Sequence, residues 1–228
     1  MQNSIKVYDL TPFTLIDYPD KISCVIWLAG CNMRCPYCHN PDIVFGKNEK
    51  SFDEILSFLK RRKRVLEGVV ISGGEPTNDK NLFFICQKIK EMGYKIKIDT
   101  NGSNPLVIKE LIERRFVDFV ALDIKATKDK YENITGRDLF DKVIKTLKII
   151  NESEIEAEVR TTVHTALLDK EDIKEIAEIL KENNFKGKYF IQNFVDHGKT
   201  LKKLPPQDSF FDISSLNDLA IKIGYRNF

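Results

Sequence analysis

Three cysteines fall within eight residues in the run Gly30-Cys31-Asn32-Met33-Arg34-Cys35-Pro36-Tyr37-Cys38-His39-Asn40, directly behind the apolar stretch 22–28. Clustered thiolates are strong ligands for soft iron. A four-iron cubane held by three cysteines keeps one iron free of protein ligands, and at that corner an exchangeable ligand can bind and react. Two other chemistries compete for the same residues. Cys35-Pro36-Tyr37-Cys38-His39 fits the C-x-x-C-H spacing of covalent haem attachment. That attachment occurs outside the cytoplasm, whereas residues 1–6 are polar and lack the apolar core of an export signal. A zinc ion on three cysteines and His39 would need adjacent Cys38 and His39 in one tetrahedron, and no second ligand pair follows at zinc-finger spacing.

More chemistry-bearing groups follow: Ser72-Gly73-Gly74-Glu75-Pro76, Asp99-Thr100-Asn101-Gly102, Asp123-Ile124-Lys125 and Arg160. Each of the first three stands directly after a strand-like run, as the cysteines do. In parallel α/β folds, ligands bind at the carboxyl ends of strands. One polar, glycine-rich loop is unremarkable, but four on successive strand ends point to a single site. Gly73 and Gly74 permit close backbone approach to a ligand. Arg160 is read in two ways, as charge balance or carboxylate binding at that site, or as an ordinary ion pair with Glu158.

The elements that must carry these loops alternate along the chain. Strands are expected at 22–28, 68–72, 94–99, 116–123, 155–163 and 188–192, the last taken as the final core strand. Ser51 and Glu54 form a capping box opening a helix to about Leu66. Further helices are expected at 80–92, 105–115, 139–150, 169–183 and 214–223, with Pro205-Pro206 introducing the last. Six β-then-α units build a parallel sheet with helices outside. They are too few to close an eight-stranded barrel, so the expected fold is an open partial (β/α)6 barrel, with a flat doubly wound sheet as the alternative. One domain spans 1–228: an N-terminal extension or edge strand at 1–20, a barrel core at 21–192, and a C-terminal loop and helix at 193–228.

Composition suits such a domain. The 228 residues are 42% hydrophobic and 31% charged, and 36 basic against 34 acidic residues leave a net charge of +2. No global basic field recruits nucleic acid, and no apolar run reaches transmembrane length, so a cytoplasmic protein is expected. The run Lys60-Arg61-Arg62-Lys63-Arg64 reads as a solvated helix face, or else as a docking patch for an acidic partner. Of five cysteines, Cys24 and Cys86 lie outside the triad and read as buried small hydrophobes rather than disulfide partners.

Taken together, Gly30-Cys31, Cys35, Cys38-His39-Asn40-Pro41, Gly73-Gly74-Glu75-Pro76, Asp99-Thr100-Asn101-Gly102, Asp123-Ile124-Lys125 and the upstream Leu15-Ile16-Asp17-Tyr18-Pro19 resemble the glycyl radical enzyme activating proteins of the radical S-adenosylmethionine (SAM) superfamily. The likeness is chiefly to activators of anaerobic ribonucleoside-triphosphate reductase of the longer type, then to pyruvate formate-lyase activating enzyme. It implies a [4Fe–4S] cluster on Cys31, Cys35 and Cys38, with SAM on the fourth iron. Reductive cleavage would give a 5′-deoxyadenosyl radical that takes hydrogen from a glycine of a partner enzyme, with electrons from a low-potential donor such as flavodoxin or ferredoxin.

The resemblance also implies that Tyr37 and His39 contact SAM. Asp99, Thr100, Asp123 and the Ala121 carbonyl would seat a monovalent cation, and Asn101 belongs to the same cofactor loop. On a SAM molecule, the carbonyls of Gly73 and Gly74 and the Glu75 carboxylate can accept from the ammonium, Lys125 can pair with the carboxylate, and Asp99 can accept from ribose. Val195 stands where pyruvate formate-lyase activating enzyme has a SAM-contacting histidine, and His197 is out of register. A radical SAM enzyme acting on a small molecule, such as a deazapurine synthase, is the alternative function. A fully ligated electron-transfer module is disfavoured by a triad rather than four cysteines.

Overall fold

A computed structural model describes residues 5–207, 216 and 221–228. Its main sheet has eight strands: β2 (Asp9–Thr14), β3 (Ser23–Leu28), β5 (Gly68–Gly73), β6 (Lys95–Thr100), β7 (Phe119–Asp123), β8 (Glu156–Val163), β9 (Lys188–Asn193) and β10 (Ile223–Arg226). Their order is β10-β9-β8-β7-β6-β5-β3-β2, so the sheet is open, with β2 and β10 at its edges. All neighbours from β3 to β10 pair in parallel, whereas β2 runs antiparallel to β3. Short β1 (Lys6–Val7) and β4 (Lys50–Ser51) form a separate antiparallel pair.

The sequence dictates the helices that cover this sheet. In α2 (Phe52–Arg62), Ser51 accepts from the Asp53 N–H, Glu54 accepts from the Ser51 N–H, and Phe52, Ile55 and Leu59 make one buried stripe. Asp169 and Asp172 cap α7 (Lys170–Glu182) in the same reciprocal way. Between them lie α3 (Leu82–Glu91), α4 (Pro105–Glu113) and α6 (Phe140–Glu152), close to the expected spans. Two short helices were not foreseen, α1 (Pro41–Phe45) and α5 (Lys128–Thr135). Each has only a single turn or two of apolar pattern, too little for a periodicity to register.

The two sheet faces have different company, and this decides between the architectures. Cys24, Ile26, Leu28, Val69, Ile71, Ile96, Ile98, Val120 and Leu122 pack with the helices in one core. On the opposite face, Tyr18, Val25, Val70 and Phe119 form a small cluster, with Trp27 against it and no helical residue in it. A doubly wound sheet would need helices on both faces. Helices on one face of an open parallel sheet are the layout of a partial barrel.

The C-terminal region corrects one expectation. β9 is not the last strand, because β10 adds a further parallel strand at Ile223–Arg226, where the expected helix was to end. Residues 221–222, also expected in that helix, are not helical, and 214–215 and 217–220 lie outside the described residues. β10 escaped notice because four residues, Ile223-Gly224-Tyr225-Arg226, give almost no alternation to read. Nearer the N-terminus, β2 forms the antiparallel edge of the sheet. Lys60 to Arg64 are all exposed at the end of α2, with Lys63 Nζ 4.2 Å from the Tyr94 ring centre. Among the described residues no helix is long and apolar enough to cross a membrane.

Candidate active site

Because β3, β5, β6 and β7 run in parallel and in register, the loops at their carboxyl ends meet. They enclose a cavity of about 470 Å³, lined by every site residue expected from the sequence except Ala121. The cysteine loop contributes Cys31, Cys35, Tyr37, Cys38 and His39; β5 gives Gly73, Gly74 and Glu75; β6 gives Asp99, Thr100 and Asn101; β7 gives Asp123 and Lys125; β8 gives Arg160. Asp17, Trp27, Thr162 and Gln192 line it too, and the sequence reading missed them. Thr162 stands two residues beyond Arg160, so the strand period alone places it on the same face.

Both glycines line the cavity, and they also serve the packing of the backbone around it. A Cβ on Gly74 would lie 2.1 Å from the Gly30 carbonyl oxygen, and one on Gly73, at φ +128°, would lie 2.1 Å from that of Leu28. Their close approach is to the start of the cysteine loop. The Gly74 N–H donates to the Leu28 carbonyl at 2.9 Å and the Glu75 N–H to that of Gly30 at 2.8 Å.

Glu75 is likewise a brace. Its buried carboxylate accepts from the Thr77 N–H (3.0 Å), the Thr77 hydroxyl (2.5 Å), the Thr100 hydroxyl (2.8 Å) and the Asn101 N–H (2.6 Å). Three of these donors converge on Oε1 and only the Asn101 N–H meets Oε2, so the carboxylate ties the β5 and β6 loops together while Oε2 keeps acceptor capacity. Burial pushes the Glu75 carboxyl up, and these donors pull against it.

Across the inner face runs a row of alternating charges. Arg226 Nη2 meets Glu158 Oε2 at 2.9 Å, and Lys97 Nζ lies 3.5 Å from Glu158 Oε1 and 3.0 Å from Asp99 Oδ1. Arg160 reaches Asp99 Oδ1 at 3.4 Å and Asp123 Oδ1 at 2.7 Å, and Lys125 Nζ meets Asp123 Oδ2 at 3.0 Å. Of the two readings of Arg160, the ion pair has its main partner in Asp123, with Glu158 3.7 Å away. Burial raises Asp123, but Arg160 and Lys125 override it and hold the carboxyl well below the ordinary range. Both Asp123 oxygens thus face protein cations, and the Thr100 hydroxyl donates to Glu75. Lys97, almost wholly buried, also donates to the Asp17 carbonyl at 2.6 Å. It shares its face with Asp99 two residues on, a signal present in Lys95-Ile96-Lys97-Ile98-Asp99.

Tyr37 is buried with its hydroxyl unpartnered among the described protein groups. His39 turns one nitrogen, Nε2, to the Val195 carbonyl at 2.8 Å and stacks on Phe194 at 4.9 Å, while the His197 ring lies 5.3 Å away.

The cysteines fit a cluster better than a single ion. Among the described residues no group of three His, Cys, Asp or Glu side chains closes on one metal ion, as a zinc site would require. A four-iron cluster takes each thiolate on a different iron. Cys24 and Cys86 are fully buried in the helix-facing core, so neither supplies a fourth ligand to the cavity. Burial raises the Cys31 thiol and pushes Cys35 to about 11, with Lys125 opposing both, so cluster binding displaces protons.

An open parallel sheet gathering three thiols, a braced glycine turn and a wall of alternating charges at its strand ends defines a radical SAM enzyme. The Radical SAM superfamily model matches residues 25–183. A Methanocaldococcus jannaschii protein provisionally described as a glycyl-radical enzyme activating enzyme is 38% identical over 230 residues, covering 95% of this chain and 92% of its own. The pyruvate formate-lyase-activating enzyme of Clostridium pasteurianum is 33% identical over 187 residues, 77% of this chain and 76% of its own. The chain belongs to the radical SAM superfamily and, within it, to the glycyl-radical enzyme activating enzymes. The fold alone is shared with Streptococcus suis SuiB bound to precursor peptide SuiA, at TM-score 0.70 and 18% identity over 89% of this chain and 48% of that one.

Proposed function

We propose that this enzyme installs a glycyl radical on a partner protein, anaerobic ribonucleoside-triphosphate reductase. When bound, a [4Fe–4S] cluster and SAM would supply the chemistry, one-electron reductive cleavage of the sulfonium and abstraction of a glycine hydrogen. The protein's own part is to hold and orient. Cys31, Cys35 and Cys38 would ligate the cluster. Lys125, fixed by Asp123, would pair with the SAM carboxylate, and the carbonyls of Gly73 and Gly74 would accept from its ammonium. Asp99, held by Lys97 and Arg160, would accept from ribose, while buried Tyr37 walls the cysteine loop and His39 ties it to Val195.

The observation that carries this reading is the convergence of three thiols with Lys125 and Asp99 in one cavity at the carboxyl ends of the strands. Likeness to activating enzymes along nearly the whole chain favours a protein substrate over the small-molecule alternative. A low-potential flavodoxin or ferredoxin would deliver the electron, in the cytoplasm where free thiols persist. The test is anaerobic incubation of reduced enzyme, SAM and the reductase from the same organism, followed by electron paramagnetic resonance (EPR). A glycyl doublet on the reductase is expected. SAM cleavage that leaves no radical on it would remove this partner.

A further inference from the structure

Asn32, between Cys31 and Met33, makes two side-chain bonds outside its own loop. Its Oδ1 accepts from Asn101 Nδ2 at 2.9 Å, and its Nδ2 donates to Ser103 Oγ at 2.8 Å. The direction of these amides is fixed by chemistry. Asn101 Oδ1 accepts from the Ser103 backbone N–H at 3.0 Å, a group that only donates. Asn101 must therefore present its nitrogen to Asn32, which must present its oxygen in return. Asn101 and Ser103 are both buried, and the Asn101 backbone N–H is held by the buried Glu75 carboxylate.

A chain of hydrogen bonds thus runs from Glu75 at the end of β5, through Asn101 and Ser103 beyond β6, to the residue following Cys31. The other strong side-chain bonds near Cys31, from Arg34 to the Cys31 and Met33 carbonyls, stay within the loop and cannot fix it to the sheet.

We infer that Asn32 is a positioning residue, a latch that sets the cysteine loop, and Cys31 in particular, against the SAM-binding strand ends. Asn101 and Glu75 then act on the cysteine loop through Asn32. The inference rests on the cluster reading of the cysteines. Local order is one readout: hydrogen exchange of amides 31–38 in the full-length protein, before and after cluster reconstitution. Iron content and SAM affinity of the reconstituted protein are the others.

Asn32→Ala should speed exchange across 31–38 by about tenfold, leave strand and helix amides unchanged, and keep the iron content of the parent. SAM affinity should fall roughly tenfold, as for other groups that orient metal ligands. Asn32→Asp keeps an acceptor for Asn101 and turns a second oxygen to the Ser103 hydroxyl, so it should stay close to the parent in both readouts. Parental loop exchange in Asn32→Ala would overturn the latch. So would faster exchange throughout the fold with unchanged SAM affinity, which marks a merely stabilising residue. If the parent takes up no cluster while loop exchange still responds to Asn32→Ala, the latch stands and the proposed function fails.

Discussion

Gly74→Ala tests how the cysteine loop is seated. The added methyl would lie 2.1 Å from the Gly30 oxygen, 2.4 Å from its carbonyl carbon and 3.0 Å from the Cys31 nitrogen. Nothing there is a flexible side chain that can swing away. To restore a 3.0 Å contact the Gly30–Cys31 backbone must retreat by about 0.9 Å, which strains the bond from the Glu75 N–H to the Gly30 carbonyl. Overpacking of this kind costs about 1–3 kcal/mol, and a weakened hydrogen bond adds about 1 kcal/mol. A total of about 2–4 kcal/mol predicts a melting temperature roughly 4–16 °C lower for a chain of this size. The assay is thermal unfolding of the cluster-free protein by circular dichroism, with iron uptake measured in parallel. A variant melting within a degree or two of the parent with full iron would refute the claim that these glycines exist for backbone contact with the loop.

Lys125→Ala should retain the cluster but weaken SAM binding by about 1.5–3 kcal/mol, the range for a charged hydrogen bond, read by titrating SAM into the reduced protein and following the EPR line shape. Cys35→Ala should lose the cluster, whereas Cys86→Ala, in the helix-facing core, should keep a parental iron content while melting lower. Asp118 supplies a pH test away from the cavity. Burial raises its carboxyl, but Lys90, the Ile96 N–H and Lys95 override it, and its pKa in the folded chain is lowered. The folded form therefore gains stability above the ordinary aspartate pKa near 3.9 and loses it as pH falls through and below that value. Asp118→Asn should flatten this limb in acid unfolding curves; an unchanged slope would exclude Asp118 as its source.

Much of the site was legible because its residue types are rare and its spacing is tied to strand ends. Cys31, Cys35, Cys38, the Gly73-Gly74 turn, Asp99, Asp123 and Lys125 each follow an apolar run, and parallel pairing does the rest. What a sequence shows poorly is whom a side chain faces. Glu75, expected as a ligand group, also braces Thr77, Thr100 and Asn101, and Arg160 has its shortest ion pair with Asp123 rather than Glu158. Trp27 and Gln192 carry no motif and became part of the site only through strand direction. β10 was lost for a different reason, since its pairing with β9 is non-local and its four residues have no periodic signature.

The row from Arg226 to Lys125 has one further consequence. A liquid solvent must turn its dipoles toward each new charge, and much of the electrostatic benefit is given up in that turning. Here Glu158, Lys97, Asp99, Arg160 and Asp123 already hold one another in place, packed on the strands of a rigid sheet. The cavity wall therefore behaves as a solvent frozen in its oriented state, whose field costs little reorganisation when a zwitterionic guest arrives or its charge is redistributed.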